Sequence, residues 1–275
     1  MQTNPSSIFL KYIAIPQDHG SWVFIISPLM IGLFAGKSFS IETVVFVITA
    51  MLAFMIRQPV TILAKIMAGR RDRKDISIAL AWILIYGSLL ILAITFLLIR
   101  GQLQIIYLGL AAIPVFAWNI WLVSRKQERR QIFIEILGTG VLALAAPAAY
   151  WLGSKTMDSA GWILWVLVWI QSAASIVYAY ARLEQRAWTK IPDWKSRLQT
   201  SRIAILFSAV NLFIVLGLGF FNVVSYFLWL PYFIQFFETI LGTIYPAFGL
   251  KPVAIGLRQL MVSTLFTILF IITWR

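Results

Sequence analysis

The sequence has no cysteine and a single histidine, His19. Without thiols there are no disulfides, no thiolate nucleophile and no cysteine-held iron–sulfur cluster. One imidazole excludes a multi-histidine metal site within a chain. Carboxylates are scarce as well, ten Asp and Glu against 23 Lys and Arg. No Gly-rich phosphate loop and no Ser/His/Asp constellation is visible. What fills the 275 residues is apolar: 61% are hydrophobic, 12% are charged and the mean hydropathy is +0.87. That balance lies far outside a soluble domain. Stretches long enough to cross a ~30 Å hydrocarbon core recur along the chain and leave no room for a separate soluble part. The reading is an all-α integral membrane protein, one polytopic domain over 1–275 with the lipid bilayer as its medium.

Nine spans are predicted, near 20–36, 41–63, 77–99, 103–123, 132–152, 160–181, 203–219, 222–241 and 258–274. The first has few cations before it and no small-x-small cleavage site, so it reads as a retained helix. The preceding "SSIFLKYIAIP", interrupted by Lys11 and Pro16, reads as an interfacial segment. The net charge of +13 raises nucleic acid as a partner, but the cations gather in a few inter-helix loops, which points to membrane topology instead. Arg70, Arg71, Arg73 and Lys74 share one side with Arg125, Lys126, Arg129 and Arg130 and with Arg186, Lys190, Lys195, Arg197 and Arg202. Lys11, Lys251 and Arg258 join them, while the opposite side has Lys37, Arg100, Lys155 and Arg275. The positive-inside rule then puts the N-terminus in the cytosol and the C-terminus outside.

A charge at a helix centre costs roughly 2.5–3.5 kcal/mol, so ionisable groups within spans should face protein or water. On the second span Arg57, Thr61 and Lys65 recur every four residues, forming one stripe. Gln171, Ser175, Tyr178 and Arg182 do the same on the sixth span, and Gln259, Ser263 and Thr267 on the last. Asn119, Glu135, Gln235, Glu238 and Arg258 fall at the same cytosolic depth. A polar cavity reached from the cytosolic side follows. Structural alternatives stand beside it: Arg57 and Lys65 can snorkel to the headgroups, Glu135 can pair with a neighbouring arginine, and Gln171 or Ser175 can serve helix association alone.

Three short stretches carry further signals. In "IPQDHGSW", Asp18 suits the N-terminus of the first span and His19 can donate to an anion or relay a proton at the boundary, the alternative being a plain capping turn. In "RRDRKD", Asp72 and Asp75 have a spacing compatible with Mg²⁺, but four adjacent cations favour an internally neutralised loop. The "WTKIPDWKSRLQ" loop is either an amphipathic interfacial segment or a solvated basic one.

With "PQDHGSW", "IRQP", "YAYARL" and "GLRQLMVSTLFT" in view, the chain resembles the YwiC-like family of bacterial membrane proteins over essentially its full length. Its nine spans and one-sided polar cavity are also similar in architecture to the UbiA superfamily of intramembrane prenyltransferases. That second resemblance implies Asp-rich, Mg²⁺-binding motifs after the second and sixth spans. This sequence departs at both, with Arg57, Gln58, Pro59 and Lys65 at the first and "RLEQR" at the second. No cofactor is evident, and the motifs do not support Mg²⁺.

The expectation is therefore a YwiC-like multi-pass protein binding an amphipathic anion, an isoprenoid diphosphate or a quinone precursor, in the cytosol-facing cavity. Arg57, Thr61, Lys65, Asn119, Gln171, Tyr178, Arg182, Arg258 and Gln259 are the candidate binding residues. His19, Glu135 and Glu238 are the acid–base candidates for a divergent prenyl transfer. An organic-anion transporter and a non-catalytic assembly partner are the competing readings. The expected location is a bacterial plasma membrane, or a thylakoid membrane in a cyanobacterium.

Overall fold

A computed structural model describes residues 11–16, 19–127 and 131–274, and no strand occurs among them. In chain order the helices are α1 (Lys11–Ala14), α2 (Val23–Gly36), α3 (Ile41–Met67), α4 (Ile76–Ile99), α5 (Gln104–Ser124), α6 (Ile132–Ala143), α7 (Ala145–Ser154), α8 (Ser159–Arg186), α9 (Trp194–Phe220), α10 (Trp229–Ile244) and α11 (Pro252–Thr273). Single 3₁₀ turns lie at His19–Trp22, Arg73–Asp75 and Tyr226–Leu228. Among the described residues, 8 helical segments are long and apolar enough to cross a membrane. The chain is a polytopic helical membrane protein. The first of the nine expected spans, Gly20–Gly36, is a shorter apolar helix. Asp18, Arg129, Arg130, Arg275 and the side chains of Lys11 and His19 lie outside the described residues.

Several helix ends differ from expectation for local reasons. Helix α9 starts at Trp194, well before the expected residue 203, because Pro192 and Asp193 end the loop and open a helix. The "WKSRLQ" part of the basic loop is thus helical. Helix α11 starts at Pro252, where a missing N–H costs nothing. Helix α3 stops where Gly69 turns left-handed at φ 66°, so that the Arg70 amide reaches back to the Lys65 carbonyl at 2.8 Å.

The Cα packing divides the chain into two compact units, residues 1–19 with 38–134, and residues 20–37 with 135–275. In the first, α3 and α4 pack along their length through Leu52, Ile62, Ile66, Ala79, Trp82 and Tyr86. Short α1 docks on both through Ile13 and Ala14, held by the Tyr86 hydroxyl donating to the Ala14 carbonyl and the Gln58 amide donating to that of Tyr12. The Ser40 hydroxyl accepts from the Thr43 amide to cap α3, and Glu42 in its first turn is ion-paired with Arg100.

The second unit is built on close backbone approach. A Cβ placed at Gly32 of α2 would lie 2.2 Å from the Ala146 carbonyl oxygen of α7, and one at Gly36 would lie 2.9 Å from that of Tyr150. Only glycine admits this contact, and it gives the two helices the tight seam that small residues provide in membranes. The 132–154 span is broken between α6 and α7 because the Pro147 ring conflicts with the carbonyl four residues back, that of Ala143. Around the break the Leu144 amide bonds the Val141 carbonyl, leaving that of Gly140 without its usual helical donor. The Trp165 indole N–H of α8 meets it at 2.9 Å, and Trp169 donates likewise to Ile136. Between α8, α10 and α11 the core is Leu164, Leu167, Val168, Tyr232, Phe266 and Phe270.

Gly32→Leu should destabilise the protein by at least about 2 kcal/mol, since the new side chain meets backbone that cannot step aside. Thermal unfolding in detergent would show this against Gly109→Leu, where the added Cβ meets nothing within 4 Å.

Candidate functional site

In the second unit, the stripe read on α8 is inside the protein: Gln171, Ser175, Tyr178 and Arg182 are all buried. Each meets different chemistry. Gln171 donates its Nε2 to Gln235 of α10 at 3.1 Å. The Tyr178 hydroxyl donates to Glu238 Oε1 at 2.7 Å, a reach that Gly242 permits because a Cβ there would lie 2.3 Å from the phenol oxygen. Glu238 in turn holds Arg258 of α11 through both oxygens, at 2.6 and 3.0 Å. This bidentate pairing is the geometry in which a half-buried charge pair is best compensated.

Arg182 is 2% exposed and serves the C-terminal end of α10. Its Nη1 donates to the carbonyls of Gly242 and Tyr245 at 2.6 and 2.8 Å and to Gln185 Oε1 at 2.9 Å. The last carbonyls of a helix have no partners of their own, and a cation there also answers the negative end of the dipole. Gln185 extends the set to Ser201 of α9 and the Ala247 amide.

One face further round α8, a cavity of ≈ 270 Å³ opens between four elements. Its wall comprises Gly20, Val23 and Phe24 at the start of α2, Glu135 of α6, Ser175, Ile176, Ala179, Tyr180 and Leu183 of α8, and Ile255, Gly256, Gln259, Leu260 and Ser263 of α11. Glu135 accepts from the Tyr180 hydroxyl at 2.6 Å. The Nε2 of Gln259 is buried with no hydrogen-bond partner. A smaller space of ≈ 20 Å³ shares Val23, Phe24, Ser175 and Ser263 with the cavity and adds Ser27, Val168, Gln171, Ser172 and Phe266. The walls of the larger cavity are mainly apolar, with Glu135, Ser175, Tyr180, Gln259 and Ser263 as the polar side chains.

Glu135 and Gln259, both read from sequence, therefore share one cavity wall, while Tyr178, Glu238 and Arg258 form a neighbouring network and Arg182 caps a helix. Tyr180 was missed because it lies off the 171–175–178–182 stripe. Its own stripe, Ile176–Tyr180–Leu183, is legible only as ordinary apolar spacing. Arg57, Thr61, Lys65 and Asn119 belong to the first unit. There the Arg57 guanidinium lies over the Phe54 ring at 5.0 Å, and Thr61 donates back to the Arg57 carbonyl at 2.7 Å. Lys65 and Asn119 are half-buried. His19 opens the turn preceding α2, its side chain lying outside the described residues.

The two aspartates of "RRDRKD" are each engaged. Asp75 pairs with Arg71 at 2.8 Å, and Asp72 with Lys74 at 3.2 Å. The hydrogen bond from Lys74 holds the Asp72 carboxyl below the usual carboxylate range. Among the described residues no group of three or more His, Cys, Asp or Glu is placed to hold a metal.

The fold defines a multi-pass helical membrane protein, with the cavity lying among the helices of its second unit. The YwiC-like protein profile matches residues 15–150. The chain is also similar to the uncharacterized protein YwiC of Bacillus subtilis (strain 168), 23% identical over 182 residues that cover 66% of this chain and 71% of the relative. These two findings support its assignment to the YwiC-like family. No solved structure matches the chain.

Arg182→Ala should lower stability by about 3 kcal/mol, because it leaves buried carbonyls of α10 unpaired. Thermal unfolding in detergent would show a much smaller loss for Arg186→Ala, whose exposed guanidinium bonds one carbonyl, that of Leu250.

Proposed function

We propose that this YwiC-like protein binds an amphiphile in the cavity between α2, α6, α8 and α11, with its apolar tail against Val23, Phe24, Ile176, Leu183, Ile255 and Leu260. The observation that carries the reading is the Gln259 amide, a buried donor without a partner on the wall of a mainly apolar cavity of ≈ 270 Å³. A buried amide left unpaired costs free energy that a ligand carbonyl or hydroxyl recovers.

Of the two head groups the sequence leaves open, the wall favours a quinone precursor over an isoprenoid diphosphate. Among the described residues it contains the carboxylate of Glu135 and no Lys or Arg. A diphosphate in that setting would lack the cations that normally compensate it. In a divergent transferase, Glu135 with Tyr180 would take the proton of a ligand hydroxyl, the two being already hydrogen-bonded at 2.6 Å. The C-terminal end of α8, leading to Arg186, Lys190 and Lys195, marks the cavity's end of the unit as cytosolic under the positive-inside rule.

Lipid extraction and native mass spectrometry of gently purified protein test the reading. Wild type should carry a small prenylated or aromatic amphiphile, and Ala179→Phe, which fills the cavity, should retain it at least about tenfold less well, a loss of roughly 1.4 kcal/mol. Bulk phospholipid alone in both proteins would sink the proposal.

A further inference from the structure

The ≈ 20 Å³ space beyond the cavity is about the size of one oxygen atom with its hydrogens. Its polar lining is Ser27, Gln171, Ser172, Ser175 and Ser263, and among the described residues no Asp, Glu, Lys or Arg lines it. Gln171 is 5% exposed, its Nε2 is committed to Gln235, and its Oε1 has no partner. Ser172 and Ser27 are occupied, the first donating to the Val168 carbonyl and the second paired with Thr267 at 2.6 Å. The hydroxyls of Ser175 and Ser263 make no hydrogen bond among the described residues, and both residues also border the large cavity.

An unpaired acceptor held so deep in an apolar medium calls for a donor. With no formal charge on the lining, an ionised group entering the space would give up its solvation without compensation. A hydroxyl suits every feature: it is one heavy atom wide, uncharged, donates to Gln171 and accepts from Ser175 or Ser263. We infer that this slot seats a single hydroxyl group of the bound amphiphile, so that the molecule lies head-inward, its hydroxyl on Gln171 and its chain in the larger cavity. The inference rests on the proposed function and adds to it the identity and direction of the head group.

Three probes with one chain separate the outcomes: farnesol, its methyl ether and the hydrocarbon farnesene, titrated by native mass spectrometry against wild type, Gln171→Leu and Ser263→Val. Wild type should bind the alcohol about tenfold more tightly than the hydrocarbon, the worth of one net buried hydrogen bond, and the ether no better than the hydrocarbon. Ser263→Val, which fills the slot without touching the Gln171–Gln235 pair, should abolish the preference, as should Gln171→Leu where it folds. Equal binding of alcohol and hydrocarbon by wild type overturns the slot and leaves the cavity reading standing. Binding of none of the three overturns both. An ether held as tightly as the alcohol places a water in the slot and overturns direct seating of the ligand. A preference that survives in Ser263→Val overturns the inference as well.

Discussion

In hydrocarbon, an amide or carbonyl without a partner costs several kcal/mol, because no water is present to take over. That constraint organises the second unit. Pro147 breaks a span, and the freed Gly140 carbonyl is met by an indole from the neighbouring helix. The carbonyls of Leu167 and Ile170 on α8 receive Tyr232 and Asn211 in the same way. Side chains that look in sequence like isolated polar or aromatic residues are thus stitches between helices, each donating to a backbone oxygen of another element. The tryptophans of α8 do this while stacking on one another, Trp165 against Trp169 at 5.1 Å.

Seen this way, the charged residues of the unit sort themselves. Glu238 is satisfied by Tyr178 and Arg258, and the Arg182 guanidinium by the end of α10. These are closed networks. Among the described residues, the fully buried side-chain atoms left over are amide atoms of Gln171, Gln235 and Gln259. Two of these three side chains, Gln171 and Gln259, line open space. Unmet hydrogen-bonding capacity and open volume coincide at these two side chains, and both are uncharged.

Much of the architecture is legible in sequence because hydrocarbon thickness imposes long apolar runs and helical spacing exposes the α8 stripe. The helix ends are less so: hydropathy alone is blind to the start of α9 at Trp194, where a helix carries two polar turns before its apolar part. The site was partly visible. Glu135 and Gln259 announce themselves as polar residues in apolar helices, and their place on one cavity wall with Tyr180 and Ser175 depends on which helices adjoin, a non-local fact. For Arg182 the spacing identified a buried cation correctly, but the carbonyls it serves lie some sixty residues further along the chain, and carbonyls leave no trace in sequence. The grouping of Arg57 and Lys65 with a different unit from Glu135 is equally a matter of tertiary contact.

The glycine seam between α2 and α7 has a mechanical meaning. Where backbone lies against backbone, no side chain is available to change rotamer, and two helices so joined behave as one stiff wall. Helix α11 faces α2 through side chains, including a single Ser27–Thr267 hydrogen bond. The walls of the space they border thus differ in kind: backbone packed on backbone between α2 and α7, side chain on side chain between α2 and α11.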